Sequence, residues 1–117
     1  MISSICAALS AVQVFSKKIQ VSANNIAHAS TDGFKKTRVL AVEQPTQGVM
    51  ASFQKVQTDG PKVIEETNDG QTTVEKSNVD FVEEITDTML SQRMYEANLK
   101  TIKTTDEMLG KVVNIKK

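Results

Sequence analysis

Four carboxylates around residue 84 have the spacing that could most readily do chemistry in this 117-residue chain. They are Asp80, Glu83, Glu84 and Asp87. The spacing i, i+3, i+4 and i+7 places them on one face of a helix, where carboxylate oxygens could bind Ca²⁺ or Mg²⁺. This would suit a metal-dependent enzyme. The same residues also suit the positive N-terminal end of a helix without any metal, and we favour this second interpretation.

Other catalytic chemistry has few candidate residues. His28 is the single histidine and Cys6 the single cysteine, so the chain has neither the ligands of a zinc site nor a paired thiol. It contains no glycine-rich phosphate loop. Its 14 basic and 14 acidic residues balance, which does not suggest a nucleic-acid binder. We therefore expect no enzymatic activity, no metal or other cofactor, no small-molecule substrate and no nucleic-acid partner.

The first element that positions these residues is a helix predicted over residues 2–28. Apolar side chains recur there at seven-residue spacing, which is typical of a helix that packs against another helix. The positions expected at the helix-pairing and assembly interface are Ile5, Leu9, Val12, Ile19 and Ile26.

A second, longer helix is predicted over residues 78–115, with Ser77 or Asn78 as its N-cap. It carries two parallel apolar seams, again at seven-residue spacing. The residues expected to face the first helix and neighbouring chains are Phe81, Ile85, Tyr95, Leu99, Ile102 and Leu109.

Residues 30–76 differ from both ends, because they contain both prolines and four of the five glycines. Asp-Gly occurs at 32–33, 59–60 and 69–70, and this dipeptide supplies the positive φ that tight hairpin turns require. Candidate strands lie at 34–43, 48–58, 62–67 and 72–75, with no register assigned. The segment is predicted to be a β-hairpin region.

We thus predict a single domain over residues 1–117, mainly α with a small β region. The N- and C-terminal helices should pair as an antiparallel coiled coil, with the β-hairpin segment between them. Burying one large aliphatic side chain stabilises a fold by about 1.5–3 kcal/mol, whereas ordering each residue costs about 1.5 kcal/mol. A lone helix pair is therefore marginal, and we expect it to associate with partners.

Two blocks of residues resemble a known family. Residues 22–28 read S-A-N-N-I-A-H and are followed by T-D-G-F-K at 31–35, whereas residues 77–84 read S-N-V-D-F-V-E-E and are followed by Q-R-M-Y-E-A-N at 92–98. Both resemble the terminal signatures of the flagellar axial proteins of the rod and hook. The matching positions include Asn24, Asn25, Ile26, Gly33, Phe34, Asn78, Val79, Gln92, Arg93, Tyr95 and Asn98. His28 departs from the pattern, since the family usually has Asn there.

The resemblance implies a structural subunit of the bacterial flagellar basal-body rod that polymerises through its terminal helices into a tubular drive shaft. The short segment between the blocks resembles a proximal rod protein. Implied partners are copies of the chain, other rod proteins and the flagellar export apparatus. The implied location is the periplasmic rod, reached without a cleaved signal peptide, and we expect no membrane-spanning segment. The alternative is a small coiled-coil adaptor that forms a discrete dimer or tetramer.

Overall fold

The computed structural model describes residues 2–115, which form two long helices joined by two β-hairpins. The elements in chain order are α1 (Ile2–Ala27), β1 (Thr37–Glu43), β2 (Val49–Lys55), β3 (Lys62–Thr67), β4 (Gly70–Glu75) and α2 (Phe81–Asn114). The molecule is elongated, with principal dimensions of 83 × 25 × 17 Å. The predicted mainly helical fold with a small β region is confirmed, whereas pairing as an antiparallel coiled coil stays a prediction.

Helix α2 begins later than predicted, and its N-cap is Asp80 rather than Ser77 or Asn78. The Asp80 backbone is extended, and its Oδ1 accepts hydrogen bonds from the N–H groups of Val82 (2.9 Å) and Glu83 (3.4 Å). These bonds satisfy two of the donors that every helix N-terminus leaves without an intrahelical partner. The predicted caps are wrong because the Asn78 side chain is used by the loops before α2.

Each hairpin forms its own two-stranded antiparallel sheet. The first pairs Thr37 with Lys55 through to Glu43 with Val49, and the second pairs Lys62 with Glu75 through to Thr67 with Gly70. All four predicted strands therefore exist, with ends shifted by up to three residues.

The Asp-Gly prediction is only partly correct. Gly33 and Gly70 have positive φ (68° and 122°), as expected, but Asp59-Gly60 joins the two hairpins and closes neither turn. The turn of the first hairpin instead uses Gln47 and Gly48, with φ of 68° and 122°. A glutamine rarely adopts positive φ, so the residue type at position 47 did not indicate this turn.

The apolar core of the described residues is small. Ala8, Val14 and Val39 are its buried hydrophobic residues. Helix α1 lies at the centre, in contact with α2 and with both strands of the first hairpin. The β3–β4 hairpin packs against no other helix or strand within residues 2–115, and almost all of it is exposed.

Helix α1 is long and apolar enough to cross a bilayer, judged by length and composition only. This differs from our expectation that no segment approaches a membrane span. Length and composition alone are weak indicators, because helices in soluble cores and N-terminal signal sequences meet the same criteria. That the chain does not span a membrane stays a prediction.

Candidate functional site

The two motif blocks meet where α1 ends and α2 begins. We call this region the junction and define it as residues 25–38, 56–60 and 75–84. It contains Asn25, Gly33, Phe34 and Asn78 from the motifs, and both hairpins start from it. Its polar groups are bonded mainly to one another, so its three chain segments are joined by hydrogen bonds and ion pairs more than by apolar packing.

Asn25 is the most deeply buried polar residue of the junction, with 2% of its surface exposed. Its Oδ1 accepts a hydrogen bond from the Thr37 N–H (3.1 Å), and its Nδ2 donates to the Thr37 carbonyl (2.8 Å). The same Nδ2 donates to Glu84 Oε1 of α2 (3.2 Å). Only an amide side chain can accept and donate in this way, so Asn25 substitutes for a neighbouring strand at the start of β1.

Ser10 plays the corresponding part at the other strand of the first hairpin. Its Oγ accepts a hydrogen bond from the Val49 N–H (3.1 Å) and donates to the Ala7 carbonyl (2.7 Å). A Cβ added at Gly48 would lie 2.7 Å from this Oγ, so glycine is required there for close approach as well as for its φ. Helix α1 therefore covers one end of each strand edge of this hairpin.

Asn78 holds three loop segments together. Its Oδ1 accepts from the Lys36 N–H (2.7 Å), and its Nδ2 donates to the carbonyls of Val56 (3.0 Å) and Thr58 (2.9 Å). The Asn78 N–H donates to the Phe34 carbonyl (3.2 Å). Asn25 from the first block and Asn78 from the second thus bond to the backbone of successive residues, Thr37 and Lys36, where the chain enters β1.

Phe34 stacks on His28, with ring centroids 4.8 Å apart and planes inclined by 15°. This contact anchors the chain as it leaves α1. Gly33 takes the left-handed turn between them, and its N–H donates to the Glu75 carbonyl (2.8 Å). His28, which stands where the family usually has asparagine, therefore provides a ring that stacks on Phe34, and an asparagine could not do so.

A cluster of ion pairs secures the second hairpin to the junction. Lys35 Nζ lies 2.5 Å from Glu75 Oε1 and 3.3 Å from Asp59 Oδ1. Hydrogen bonding to Glu75 raises the pKa of Lys35, whereas the bonds from Lys35 and from the Gly60 N–H lower the pKa of Glu75. The sequence did not single out Lys35 and Glu75 as partners, because 40 residues separate them.

A second cluster joins α2 to the entrance of β1. Lys36 is buried, and its Nζ lies 2.5 Å from Glu83 Oε2, while Arg38 pairs with the other oxygen of the same carboxylate. The hydrogen bond from Lys36 lowers the pKa of Glu83. On the outer side, Lys76 pairs with Asp32 (2.9 Å) and Glu65 (2.6 Å), and the bond to Asp32 is the largest contribution raising the pKa of Lys76.

These contacts account for three of the four carboxylates on the acidic face of α2. Asp80 caps the helix, Glu83 pairs with Lys36 and Arg38, and Glu84 accepts from Asn25. Within residues 2–115 no group of three or more His, Cys, Asp or Glu side chains is placed to hold a metal ion. Asp80, Glu83 and Glu84 therefore serve the junction, whereas Asp87 is exposed and bonds to none of its groups.

The residues expected at the helix interface fall into two groups. Half-buried in the chain are Ile5, Val12, Ile19, Ile26, Tyr95, Ile102 and Leu109. Exposed by 43–51% are Leu9, Phe81, Ile85 and Leu99. The protected positions of α2 recur at alternating spacings of four and three residues; they are Glu84, Thr88, Ser91, Tyr95, Asn98, Ile102, Thr105 and Leu109. One of the two inner seams of α2 is thus formed by the polar residues Glu84, Ser91, Asn98 and Thr105. Hydrophobicity alone, which the sequence prediction used, places Ile85 and Leu99 there.

The remaining motif residues have local roles within residues 2–115. Asn98 Nδ2 donates to the Met94 carbonyl (2.7 Å). Gln92 and Arg93 are exposed and bond only to Glu96, one turn along α2. Asn24 is exposed, whereas Ile26 and Val79 are half-buried. The assembly role predicted for this set stays a prediction.

Known proteins match the C-terminal part of the chain. A family model described as the C-terminal region of flagellar basal body rod FlgEFG proteins matches residues 71–115, which include the second motif block and all of α2. This part of the chain is similar to flagellar rod and hook proteins. The relatives that it resembles are structural components of the flagellum and not enzymes.

Individual members of the rod and hook family show the same likeness over short segments. The flagellar basal-body rod protein FlgG of Agrobacterium fabrum is 58% identical over 38 residues, which cover 32% of this chain and 14% of the relative. FlgG of Bacillus subtilis is 43% identical over 44 residues, covering 38% and 17% respectively. The flagellar hook protein FlgE of Borreliella burgdorferi is 44% identical over 43 residues, covering 37% and 10%. The chain therefore matches only about a tenth to a sixth of each of these relatives.

Proposed function

We propose that this chain is a structural subunit of the flagellar basal-body rod and polymerises through α1 and α2 into the tubular drive shaft. The observation that carries the proposal is the exposed apolar surface of α2. Large hydrophobic side chains on this helix are 43–75% exposed; they are Phe81, Val82, Ile85, Met89, Leu90, Met94, Leu99, Met108, Val112 and Val113. Contiguous apolar surface of this kind marks protein interaction sites.

The exposed residues of α2 include a face with helix-packing periodicity. Leu90, Met94, Ala97, Thr101 and Met108 follow one another at heptad spacing, outside the protected seam. A shallow groove along this face is lined by Ala97, Thr101 and Met108 together with neighbouring polar residues. A stripe of side chains with this spacing can pack against the apolar seam of another helix. The helix therefore has one seam for its own chain and a second for a neighbour.

The junction supports the same proposal. A shaft that transmits torque needs subunits whose helices keep a fixed relation to the rest of the chain. Here Asn25, Asn78 and the Lys36–Glu83 pair fix that relation through buried or half-buried polar contacts. We accordingly propose copies of this chain, other rod proteins and the export apparatus as partners, and the periplasmic rod as the location.

The test is deletion of the gene in the bacterium that encodes this chain, followed by electron microscopy of isolated basal bodies. We expect the rod to be absent beyond the membrane ring and swimming to be lost, with both restored by the wild-type gene. Complete rods and normal swimming in the deletion strain would refute the proposal.

The adaptor alternative also uses the exposed stripe of α2, but it predicts one closed size. Sedimentation of Met94→Asp separates the two, because a discrete helical oligomer would dissociate to monomers in that variant. A rod subunit would instead keep the sedimentation behaviour of the wild type, because its contact through α2 forms only in the assembled rod.

A further inference from the structure

Within residues 2–115, the outer edge of β3 has no hydrogen-bond partner, whereas the outer edges of the other three strands each have one. In β1, Asn25 occupies the edge at Thr37; in β2, Ser10 occupies it at Val49. In β4, the Gly33 N–H bonds the edge carbonyl of Glu75. The edge of β3 has no corresponding partner anywhere in residues 2–115. An unpaired strand edge is a template for pairing with another strand.

The register of the second hairpin shows which backbone groups point outward. The Lys76 N–H bonds the Pro61 carbonyl, so Pro61 and every second residue after it bond to β4. The N–H and C=O groups of Lys62, Ile64 and Glu66 therefore face away from the sheet. All three residues are exposed, and Ile64 has 66% of its surface accessible.

We propose that the β3 edge pairs antiparallel with the β3 edge of a second copy of this chain, centred on Ile64. In this register Ile64 faces its own equivalent, and Lys62 of each copy faces Glu66 of the other. Every outward N–H and C=O of the three residues then meets its complement, because all three belong to hydrogen-bonded positions of the new ladder. The two hairpins become one four-stranded sheet.

Both the charges and the exposed apolar surface of β3 favour a second copy of this chain as its partner. Lys62 and Glu66 form no ion pair within residues 2–115, although Lys62 faces Glu75 across its own hairpin and helps to lower the pKa of Glu75. In the symmetric register each of the two also faces an opposite charge on the other copy. Opposite charges at directly facing positions stabilise a pair of strands, whereas like charges destabilise it. Ile64 projects from the same side of the sheet as these two residues, so the contact also covers two exposed isoleucines.

This dimer does not rest on the rod function. A two-fold contact uses the same patch on both copies and closes on itself, whereas a polar tube needs contacts that repeat in one direction. The β3 pairing is therefore a contact of unassembled subunits and is separate from the helical stripe of α2.

Charge reversal in the full-length protein tests the register. We expect sedimentation of the wild type to show a reversible equilibrium between 12.8 kDa monomers and dimers of twice that mass. Glu66→Lys should raise the dimer dissociation constant by roughly tenfold or more, because it places two pairs of like charges face to face. The Lys62→Glu and Glu66→Lys double variant should restore the wild-type value, while mixed dimers with the wild type stay weak.

Crosslinking supplies a second test that does not depend on affinity. In a Cys6→Ser background, Ile64→Cys should form disulfide-linked dimers on mild oxidation, because the two positions face each other. Gln71→Cys, on the opposite edge of the same hairpin, should remain monomeric. Circular dichroism checks that each variant is folded.

Three results would overturn the pairing. They are a monomeric wild type at millimolar concentration, a double variant that fails to regain dimerisation, and equal crosslinking at positions 64 and 71.

Discussion

Asn25, near the end of α1, holds both backbone groups of Thr37, the first residue of β1, at 3.1 and 2.8 Å. This contact orients the first hairpin against the helix, and the bond to Glu84 adds α2 to the same point. One buried side chain therefore sets the relative positions of three elements. It is the physical reason for an asparagine at this place in the first motif.

Replacing Asn25 with leucine should destabilise the chain by about 2–3 kcal/mol, because it leaves the half-buried backbone groups of Thr37 and the buried Glu84 carboxylate without this partner. Chemical denaturation followed by circular dichroism measures the change. Asn24→Leu is the matched control, since Asn24 is exposed and adjacent, and it should change stability by less than about 0.5 kcal/mol. Equal effects of the two substitutions would contradict the role assigned to Asn25.

Gly60 should not tolerate even a methyl group. An added Cβ would lie 1.9 Å from the Lys76 carbonyl oxygen and 2.9 Å from its carbon, so the backbone itself must move. We expect Gly60→Ala to lower the melting temperature and to loosen the second hairpin. Gly110→Ala is the opposite case, because its Cβ meets nothing within 4 Å in the α2 interior. That variant should gain up to about 1 kcal/mol. A melting temperature of Gly60→Ala at or above the wild-type value would disprove the steric argument.

The Lys35–Glu75 pair should make stability depend on acid. Because the folded chain lowers the pKa of Glu75, the pair contributes stability above the ordinary glutamate pKa of 4.5. This contribution is lost as the pH falls through the lower folded pKa. The pKa of Lys35 is raised, so its effect on stability has the opposite pH dependence. The stability contributed by Lys35 is fully present below its ordinary pKa of 10.5 and is lost as the pH rises through the higher folded pKa.

We expect the urea midpoint of the wild type to fall more steeply below pH 4.5 than that of Glu75→Gln. Glu66→Gln serves as control, since Glu66 forms no ion pair in the described chain, and it should keep the wild-type slope at monomeric concentration. Parallel curves for Glu75→Gln and the wild type would show that the pair does not contribute to acid sensitivity.

Asp80 should act on α2 through its capping oxygen. Asp80→Ala should cost about 1 kcal/mol, because two N–H groups of the first turn lose their acceptor. Asp80→Asn retains that acceptor and should recover most of the loss. Thermal unfolding of the three proteins at one pH distinguishes capping from charge alone, and an equal loss in both variants would favour charge.

Leu99 should matter for assembly more than for folding. Its side chain is 43% exposed, so Leu99→Asp should leave the circular dichroism spectrum unchanged while preventing incorporation into rods. Ile19→Asp alters a half-buried position and should reduce stability as well. Thr86→Asp adds the same charge elsewhere on α2 and should assemble normally. Swimming by a strain whose sole copy carries Leu99→Asp would count against the assembly role.

Periodicity and turn residues predicted both helices and all four strands, because these signals act over a few neighbouring positions. They failed where distant partners decide the outcome. Asn78 does not cap α2, since its side chain bonds to Val56 and Thr58, which lie 22 and 20 residues earlier. Ile85 and Leu99 lie outside the protected seam, because Glu84 and Ser91 occupy it and Glu84 has a bond from Asn25.

The family motif identified Asn25, Gly33, Phe34 and Asn78 before their geometry was known, and all four meet at the junction. Ser10, Gly48 and Gly60 could not be identified in this way. Their importance comes from close approaches between segments that are distant in the sequence, such as the 2.7 Å separation between Ser10 and a Cβ at position 48.

The Asn25–Glu84 bond joins residues 59 positions apart. A chain that emerges N-terminus first, whether from the ribosome or from a narrow conduit, therefore exposes its whole first helix before the partner carboxylate arrives. Thr37 and the first hairpin can dock earlier, but this bond cannot orient the second helix until Glu84 has emerged. The relative orientation of the two long helices is thus fixed late in emergence, whereas that of the first hairpin can be fixed early.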